Sequence, residues 1–200
     1  MHITIFGLGY VGFTAACCIA SAGHRVTGID VSDKKVVAIL NGKSPIIEPR
    51  VEDMLSEALK QGLIKADTEI GSHLSESDMA IVCVGTPSSP DGSHNMGYIA
   101  DVTRQIAAAI PKDRTKPLTV VYRSTIRPGT MDELIAPIFR SVLGEKADVM
   151  IELVYNPEFL REGSAVADYF APPKIVIGTR DGAPSAAMDA LNAGIEAQVF

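Results

Sequence analysis

An α/β architecture, with a doubly wound and mainly parallel sheet and helices on both faces, is expected of these 200 residues from three features. Short β-branched segments alternate with helical stretches of ten or more residues, the pattern of parallel strands joined by crossover helices. Several of those segments carry apolar residues on both faces, as central parallel strands should. One of them runs straight into Gly7-Leu8-Gly9-Tyr10-Val11-Gly12, a glycine-rich turn that opens a helix.

The elements follow in order. Residues 2–6 form the first strand and residues 10–22 its helix; a second strand covers 25–29, followed by helices over 33–40 and 50–60. A weak strand near 68–70 precedes a strong apolar one at 79–84. Residues 87–97 (PSSPDGSHNMG) carry the Pro, Ser, Gly and Asp of a mobile loop at a strand's carboxyl end, where open parallel sheets bind ligands. A helix at 98–110, a strand at 118–123, a helix at 131–143 and a strand at 149–154 come next. Thr130 and Glu133 have capping-box spacing, which marks the start of the 131–143 helix. A strand at 174–177 and a helix at 183–193 follow, and residues 197–200 begin a further strand. The absence of a repeat, a low-complexity tract or a linker makes residues 1–200 one domain.

Composition removes several functions. Lys and Arg number 18 against 24 Asp and Glu, a formal charge of −6, and no basic run is present. A nucleic-acid surface would be basic and clustered, so no nucleic-acid partner is expected. The apolar runs at 3–6, 79–84 and 118–122 fall far short of the roughly 18–20 residues that span a bilayer, so no membrane partner is expected either. The glycine motif at residue 7 leaves no space for a signal peptide, and a cytoplasmic location is the expectation. Cys17, Cys18 and Cys83 make no CxxC pair, and His2, His24, His73 and His94 are scattered, so no metal site is expected and the thiols read as reduced core residues. Gly42-Lys43-Ser44 mimics a P-loop, but the required earlier glycine is Val37.

The glycine motif carries the chemistry. Gly7 permits a tight turn, Gly9 lets a pyrophosphate approach the backbone, and Gly12 lets helix and strand pack closely, the Rossmann arrangement for a dinucleotide. Asp30, 18 residues beyond Gly12 at the end of the second strand, suits a carboxylate accepting from the adenosine ribose hydroxyls. A 2′-phosphate would be repelled there, and Val31, Ser32 and Asp33 offer it no arginine, so NAD is favoured over NADP. Lys34 and Lys35 read from spacing alone as a solvated helix face. Three later segments leave strand ends on the same side of the sheet: residues 83–87 (CVGTP), 123–130 (RSTIRPGT) and 156–163 (NPEFLREG). Their hydroxyls fit either ligand contacts or helix caps. The two glutamates and the arginine of the third fit either acid/base work or a surface ion-pair cluster.

Together GLGYVG (7–12), GID (28–30) with Lys35, CVGTP, RSTIRPGT and NPEFLREG resemble the UDP-glucose/GDP-mannose dehydrogenase family of nucleotide-sugar 6-dehydrogenases, in order and over nearly the whole chain. GKSPIIEP (42–49), the helix start at 97–99 and Asp168-Tyr169 ahead of Pro172-Pro173 look more like the GDP-mannose branch. The resemblance implies a four-electron oxidation of a sugar C6 alcohol to a carboxylate with two NAD, serving polysaccharide biosynthesis and proceeding through a cysteine-bound thiohemiacetal and thioester. It also implies that Gly7, Gly9, Tyr10, Val11 and Gly12 hold the pyrophosphate, that Asp30 and Lys35 hold the ribose, and that Thr86 and Thr125 line the nicotinamide. Glu158 with Thr125 would activate the hydrolytic water, and Phe159, Leu160, Arg161 and Glu162 would meet the sugar nucleotide, Glu162 touching the cofactor too.

The family's nucleophilic cysteine, its central dimerisation helix and its C-terminal sugar-nucleotide domain have no counterpart in these residues. The expectation is therefore an N-terminal NAD-binding domain, inactive alone, from an enzyme that is a homodimer at full length. Arg50 replaces the glycine that follows the Glu-Pro pair in the family, which bears on the geometry of that turn. The alternatives are a UDP-glucose 6-dehydrogenase, a small hydroxyacid-type dehydrogenase, for which no catalytic Lys or His is evident, and a non-catalytic NAD-binding module.

Overall fold

The computed structural model describes residues 1–88 and 95–200, so the centre of the expected 87–97 loop, with His94, lies outside the described residues. The strands are β1 (His2–Phe6), β2 (Arg25–Ile29), β3 (Ile64–Asp67), β4 (Met79–Val82), β5 (Leu118–Tyr122), β6 (Ile151–Tyr155) and β7 (Gly178–Thr179). They form one sheet in the order β3-β2-β1-β4-β5-β6-β7, parallel throughout except for β7, which pairs antiparallel with β6. The winding reverses between β1 and β4, and such a switch point opens a crevice at the carboxyl ends of the strands. Every residue of β1, β4 and β5 is buried, which accounts for their largely apolar character on both faces, with His2, Thr4 and Thr119 the polar exceptions.

The helices are α1 (Tyr10–Ser21), α2 (Asp33–Leu40), α3 (Val51–Lys60), α4 (Gly97–Ala109), α5 (Ala136–Leu143), α6 (Ala147–Met150), α7 (Ala165–Phe170) and α8 (Ala186–Leu191). Two apolar cores separate them by face. Phe13, Ile19, Ile39, Leu55, Val166 and Met188 bring α1, α2, α3, α7 and α8 onto one side of the sheet. Ile99, Ile106, Phe139 and Met150 bring α4, α5 and α6 onto the other. α1 is the central helix of its layer, buried continuously from Gly12 to Ala20. Cys17 and Cys18 lie inside it, and burial pushes both thiols up to about 12, so they pack as small apolar groups.

Four expectations are corrected. The third strand lies at Ile64–Asp67 rather than near 68–70, because the Asp67 carboxylate accepts the N–H of Thr68 and of Glu69 and turns the chain out of the sheet. Residues 174–177 do not add to the sheet beside β6. The Asn156 amide takes the Val176 carbonyl at 2.7 Å, and Ile175 pairs in parallel with Val199 at the expected 197–200 strand. The Thr130–Glu133 capping box does not form: Thr130 already has helical dihedrals and makes no side-chain cap, and the helix begins with a π-turn at Met131–Ile135. α6 occupies the start of the expected 149–154 strand, and α7 was not foreseen.

Arg50 is the one non-glycine residue among those described with a positive φ, at 69°. The turn keeps a left-handed geometry with a side chain on it, at a cost of roughly 1–2 kcal/mol. No helix among the described residues is long and apolar enough to cross a membrane, and they hold no group of His, Cys, Asp or Glu fit for a metal.

Candidate functional site

The glycine loop joins β1 to α1 at the switch point. Gly7 has φ of +90°, and its N–H donates to the Ile29 carbonyl at 2.8 Å, which closes the turn over β2. A Cβ on Gly12 would lie 1.9 Å from the Gly7 carbonyl oxygen, so only glycine lets α1 start this close to the strand. A Cβ on Gly9 would meet nothing within 4 Å, which leaves open space directly over the backbone. Gly9 is the N-cap of α1 without a side-chain cap, and no acidic residue occupies the first turn. The first helical bond to Gly9 is made by Phe13, so the N–H groups of Tyr10, Val11 and Gly12 face the crevice end without helical acceptors. Such an end suits a pyrophosphate, through hydrogen bonds and the helix dipole.

Asp30 lies at the end of β2 with 7% of its surface exposed. Its Oδ2 accepts from the Leu8 N–H at 2.7 Å and from Lys35 Nζ at 3.0 Å, and its Oδ1 accepts from the Ser32 N–H at 3.0 Å. Burial opposes the anion, but these donors outweigh it and hold the carboxyl below the usual range. A carboxylate has about four acceptor positions, so Oδ1 keeps one for a ribose hydroxyl. Lys35 reaches Asp30 from the first turn of α2, so it is half-exposed and ion-paired rather than merely solvated. Open space over Gly9, unpaired N–H groups at α1 and a free acceptor on Asp30 all fit a dinucleotide.

The other expected residues stand at the carboxyl ends of β4, β5 and β6, on the same edge of the sheet. Thr86 is half-buried and Thr125 exposed. Between them Ser124 is structural, its hydroxyl donating to the Val84 carbonyl at 2.7 Å. Arg123 is buried and donates to Asn156 Oδ1 at 2.6 Å, which ties the end of β5 to the start of the 156–163 segment. Glu158 is half-buried, and its Oε2 accepts the Leu160 N–H at 2.6 Å, closing a local turn. Phe159 is partly exposed with the Lys174 ammonium 4.9 Å over its ring, and Glu162 is exposed. The Arg161 guanidinium, by contrast, is committed to Asp168 through Nη2 at 2.7 Å and Nε at 3.1 Å. Burial pushes the Cys83 thiol at the end of β4 up to about 12, so none of the three cysteines supplies a thiolate.

One residue was not foreseen from the sequence. Glu48 is 8% exposed and accepts from the N–H groups of Gly163 and Ala165, each at 2.8 Å, and from the Tyr10 hydroxyl. The Glu-Pro pair ahead of α3 was its only local sign.

Residues 1–195 match the family model described as "UDP-glucose/GDP-mannose dehydrogenase family, NAD binding domain". The chain is 41% identical over 200 residues to a GDP-mannose 6-dehydrogenase of Pseudomonas putida, covering 100% of this chain and 45% of that protein. It is 38% identical over 181 residues to a UDP-glucose 6-dehydrogenase of Bacillus subtilis, covering 90% and 40%. Among solved structures, a ternary complex of GDP-mannose dehydrogenase from Pseudomonas aeruginosa superposes with a TM-score of 0.95 at 40% identity, covering 100% of this chain and 46% of that one. A UDP-glucose dehydrogenase from Pyrobaculum islandicum superposes at 0.91 with 34% identity, covering 100% and 45%. The chain thus spans about 45% of the length of the GDP-mannose 6-dehydrogenase relatives it matches.

Proposed function

The chain belongs to the UDP-glucose/GDP-mannose dehydrogenase family as its NAD-binding domain, and from that premise we propose that it is the cofactor half of a GDP-mannose 6-dehydrogenase. The reaction converts the C6 alcohol to a carboxylate: the alcohol, one water and two NAD⁺ give the carboxylate, two NADH and three protons. The observation that carries the reading is the Asp30–Leu8 bond, which builds the ribose carboxylate and the pyrophosphate loop into one unit. The preference for GDP-mannose is supported by the identity to that branch along the full chain.

Bound NAD supplies a hydride acceptor. The N–H groups of Tyr10 and Val11 would hold its pyrophosphate, with Gly7 and Gly12 shaping the turn and Gly9 leaving room beside the backbone, while Asp30 and Lys35 would hold the ribose. Thr86 and Thr125 stand at the neighbouring strand ends and would line the nicotinamide. Glu158 accepts a proton from the hydrolytic water that Thr125 helps to hold. Phe159 and Leu160 wall the sugar, with Arg161 contributing backbone and stem while its head group stays on Asp168. Glu162 spans sugar and cofactor.

The nucleophilic cysteine, the dimerisation helix and the sugar-nucleotide domain belong to polypeptide outside these residues, with a homodimer as the working form and the cytoplasm as its location. The test is NADH formation by the full-length protein. GDP-mannose should yield two NADH per sugar with UDP-glucose turned over far more slowly. The reverse preference would assign the chain to the UDP-glucose branch, and no turnover with either, beside intact NAD binding, would make it a non-catalytic module.

A further inference from the structure

Three distant parts of the chain meet on the Glu48 carboxylate. Oε1 accepts the Ala165 N–H at 2.8 Å, Oε2 accepts the Gly163 N–H at 2.8 Å, and the Tyr10 hydroxyl donates to the same Oε2. The Gly163 N–H also lies 3.0 Å from the Tyr10 oxygen, so the contacts form a closed cluster. Burial opposes the charge on Glu48, but the Tyr10 hydroxyl and the backbone donors outweigh it and lower its pKa. The anion is therefore a permanent anchor near neutral pH, and charge-assisted bonds to two N–H groups fix direction as well as distance.

What the anchor joins gives it meaning. Tyr10 opens α1, the helix end that faces the pyrophosphate position. Gly163 follows Glu162 directly and turns left-handed with φ of +84°. The 156–163 segment is also fastened at its start, where Asn156 accepts from Arg123, and near its far end by Asp168, which takes the Arg161 N–H and guanidinium and the Ser164 hydroxyl. Asp168 lies on α7, only seven residues from Arg161, so it stiffens the segment without placing it. Glu48 lies 115 residues from Gly163 and is tied to the glycine-loop helix.

We infer that Glu48, with Tyr10, is a positioning residue that seats the 156–163 segment against the glycine loop and so presents Glu162 to the hexosyl nucleotide beside the cofactor. This rests on the proposed function. It predicts that the anchor governs the sugar nucleotide's fit far more than the cofactor's. The pyrophosphate N–H groups belong to α1 itself, which is held by its own core, so the cofactor keeps its main seat, whereas Glu162 directly adjoins Gly163, the residue that Glu48 holds.

The test is steady-state kinetics of the full-length protein carrying Glu48→Gln or Tyr10→Phe. Glu48→Gln keeps the shape but has one acceptor oxygen for two N–H groups. Its KM for the sugar nucleotide should rise by about tenfold while the KM for NAD stays within about threefold. Tyr10→Phe keeps both N–H bonds and should give a smaller rise in the same KM; it carries the test if Glu48→Gln fails to fold. A purely structural role would lower the active fraction, which reduces kcat and leaves both KM values unchanged. That pattern, wild-type kinetics in Tyr10→Phe and Glu48→Gln, or an equal rise in both KM values would overturn the inference. An inactive wild-type protein would instead strike at the proposed function.

Discussion

The Leu8 N–H donates to Asp30 Oδ2 at 2.7 Å, so the acid at the end of β2 holds the loop that ends β1. Leu8 is buried against Gly28, where a Cβ would lie 2.7 Å from the Leu8 side chain. One carboxylate thus shapes the glycine loop while keeping an acceptor for a ligand. Removing it should cost affinity through both contacts.

Asp30→Ala should weaken NAD binding by about 1.5–3 kcal/mol, roughly tenfold or more, through lost charge-assisted hydrogen bonds. Calorimetric titration of wild type and variant checks this. Equal affinities would remove Asp30 from the site.

Gly9→Ala and Gly12→Ala should fail in different ways. The added methyl at Gly9 meets no protein atom within 4 Å, so that variant should fold with a wild-type melting temperature and bind NAD at least about tenfold more weakly. The methyl at Gly12 would sit 1.9 Å from the Gly7 oxygen, so that variant should melt markedly lower whether or not NAD is present. Thermal melts paired with titrations separate the two. A destabilised Gly9→Ala with normal affinity would contradict the account of the loop.

Arg50→Gly should stabilise the protein. Relief of the left-handed strain is worth roughly 1–2 kcal/mol, and the extra freedom of glycine in the unfolded chain returns roughly 0.5–1 kcal/mol of it. A net gain of about 0.5–1 kcal/mol should appear in chemical denaturation, with NAD affinity unchanged. A loss of stability would mean that the Arg50 side chain makes contacts worth more than the strain.

Asp168 sets an acid limit on the 156–163 segment. Bonds from the Arg161 guanidinium and N–H hold its carboxyl at about 2, below the ordinary 3.8. A depressed pKa means that its stabilising contribution is complete above the ordinary value and is lost as pH falls through the lower one. The Asp168 carboxyl should therefore titrate near 2 by carbon NMR, and Arg161→Ala should move it up towards 3.8. A wild-type midpoint near 4 would show that the pair is not formed in solution.

The legible parts of the sequence are those whose cause is local. Glycine spacing, an acid at a strand end and runs apolar on both faces set the loop, Asp30 and the central strands within a few residues of where they lie. Asp67 bending the chain after β3, and Asn156 diverting the Val176 carbonyl, depend on side chains competing for backbone groups, which periodicity does not record. Thr130 had the spacing of a cap but not the backbone, because a π-turn begins there. Glu48 was hidden for another reason. Its partners lie 38 to 117 residues away, so only the folded chain brings them together.

The central claim is that these residues form an NAD site. It is tested most directly by calorimetric titration of this 200-residue chain with NAD and with NADP, beside a thermal melt of the same sample. The account predicts a cooperative melt and saturable NAD binding in the micromolar to sub-millimolar range, roughly −8 to −4 kcal/mol, with NADP at least about tenfold weaker. A folded chain that binds no NAD, or that prefers NADP, would contradict it.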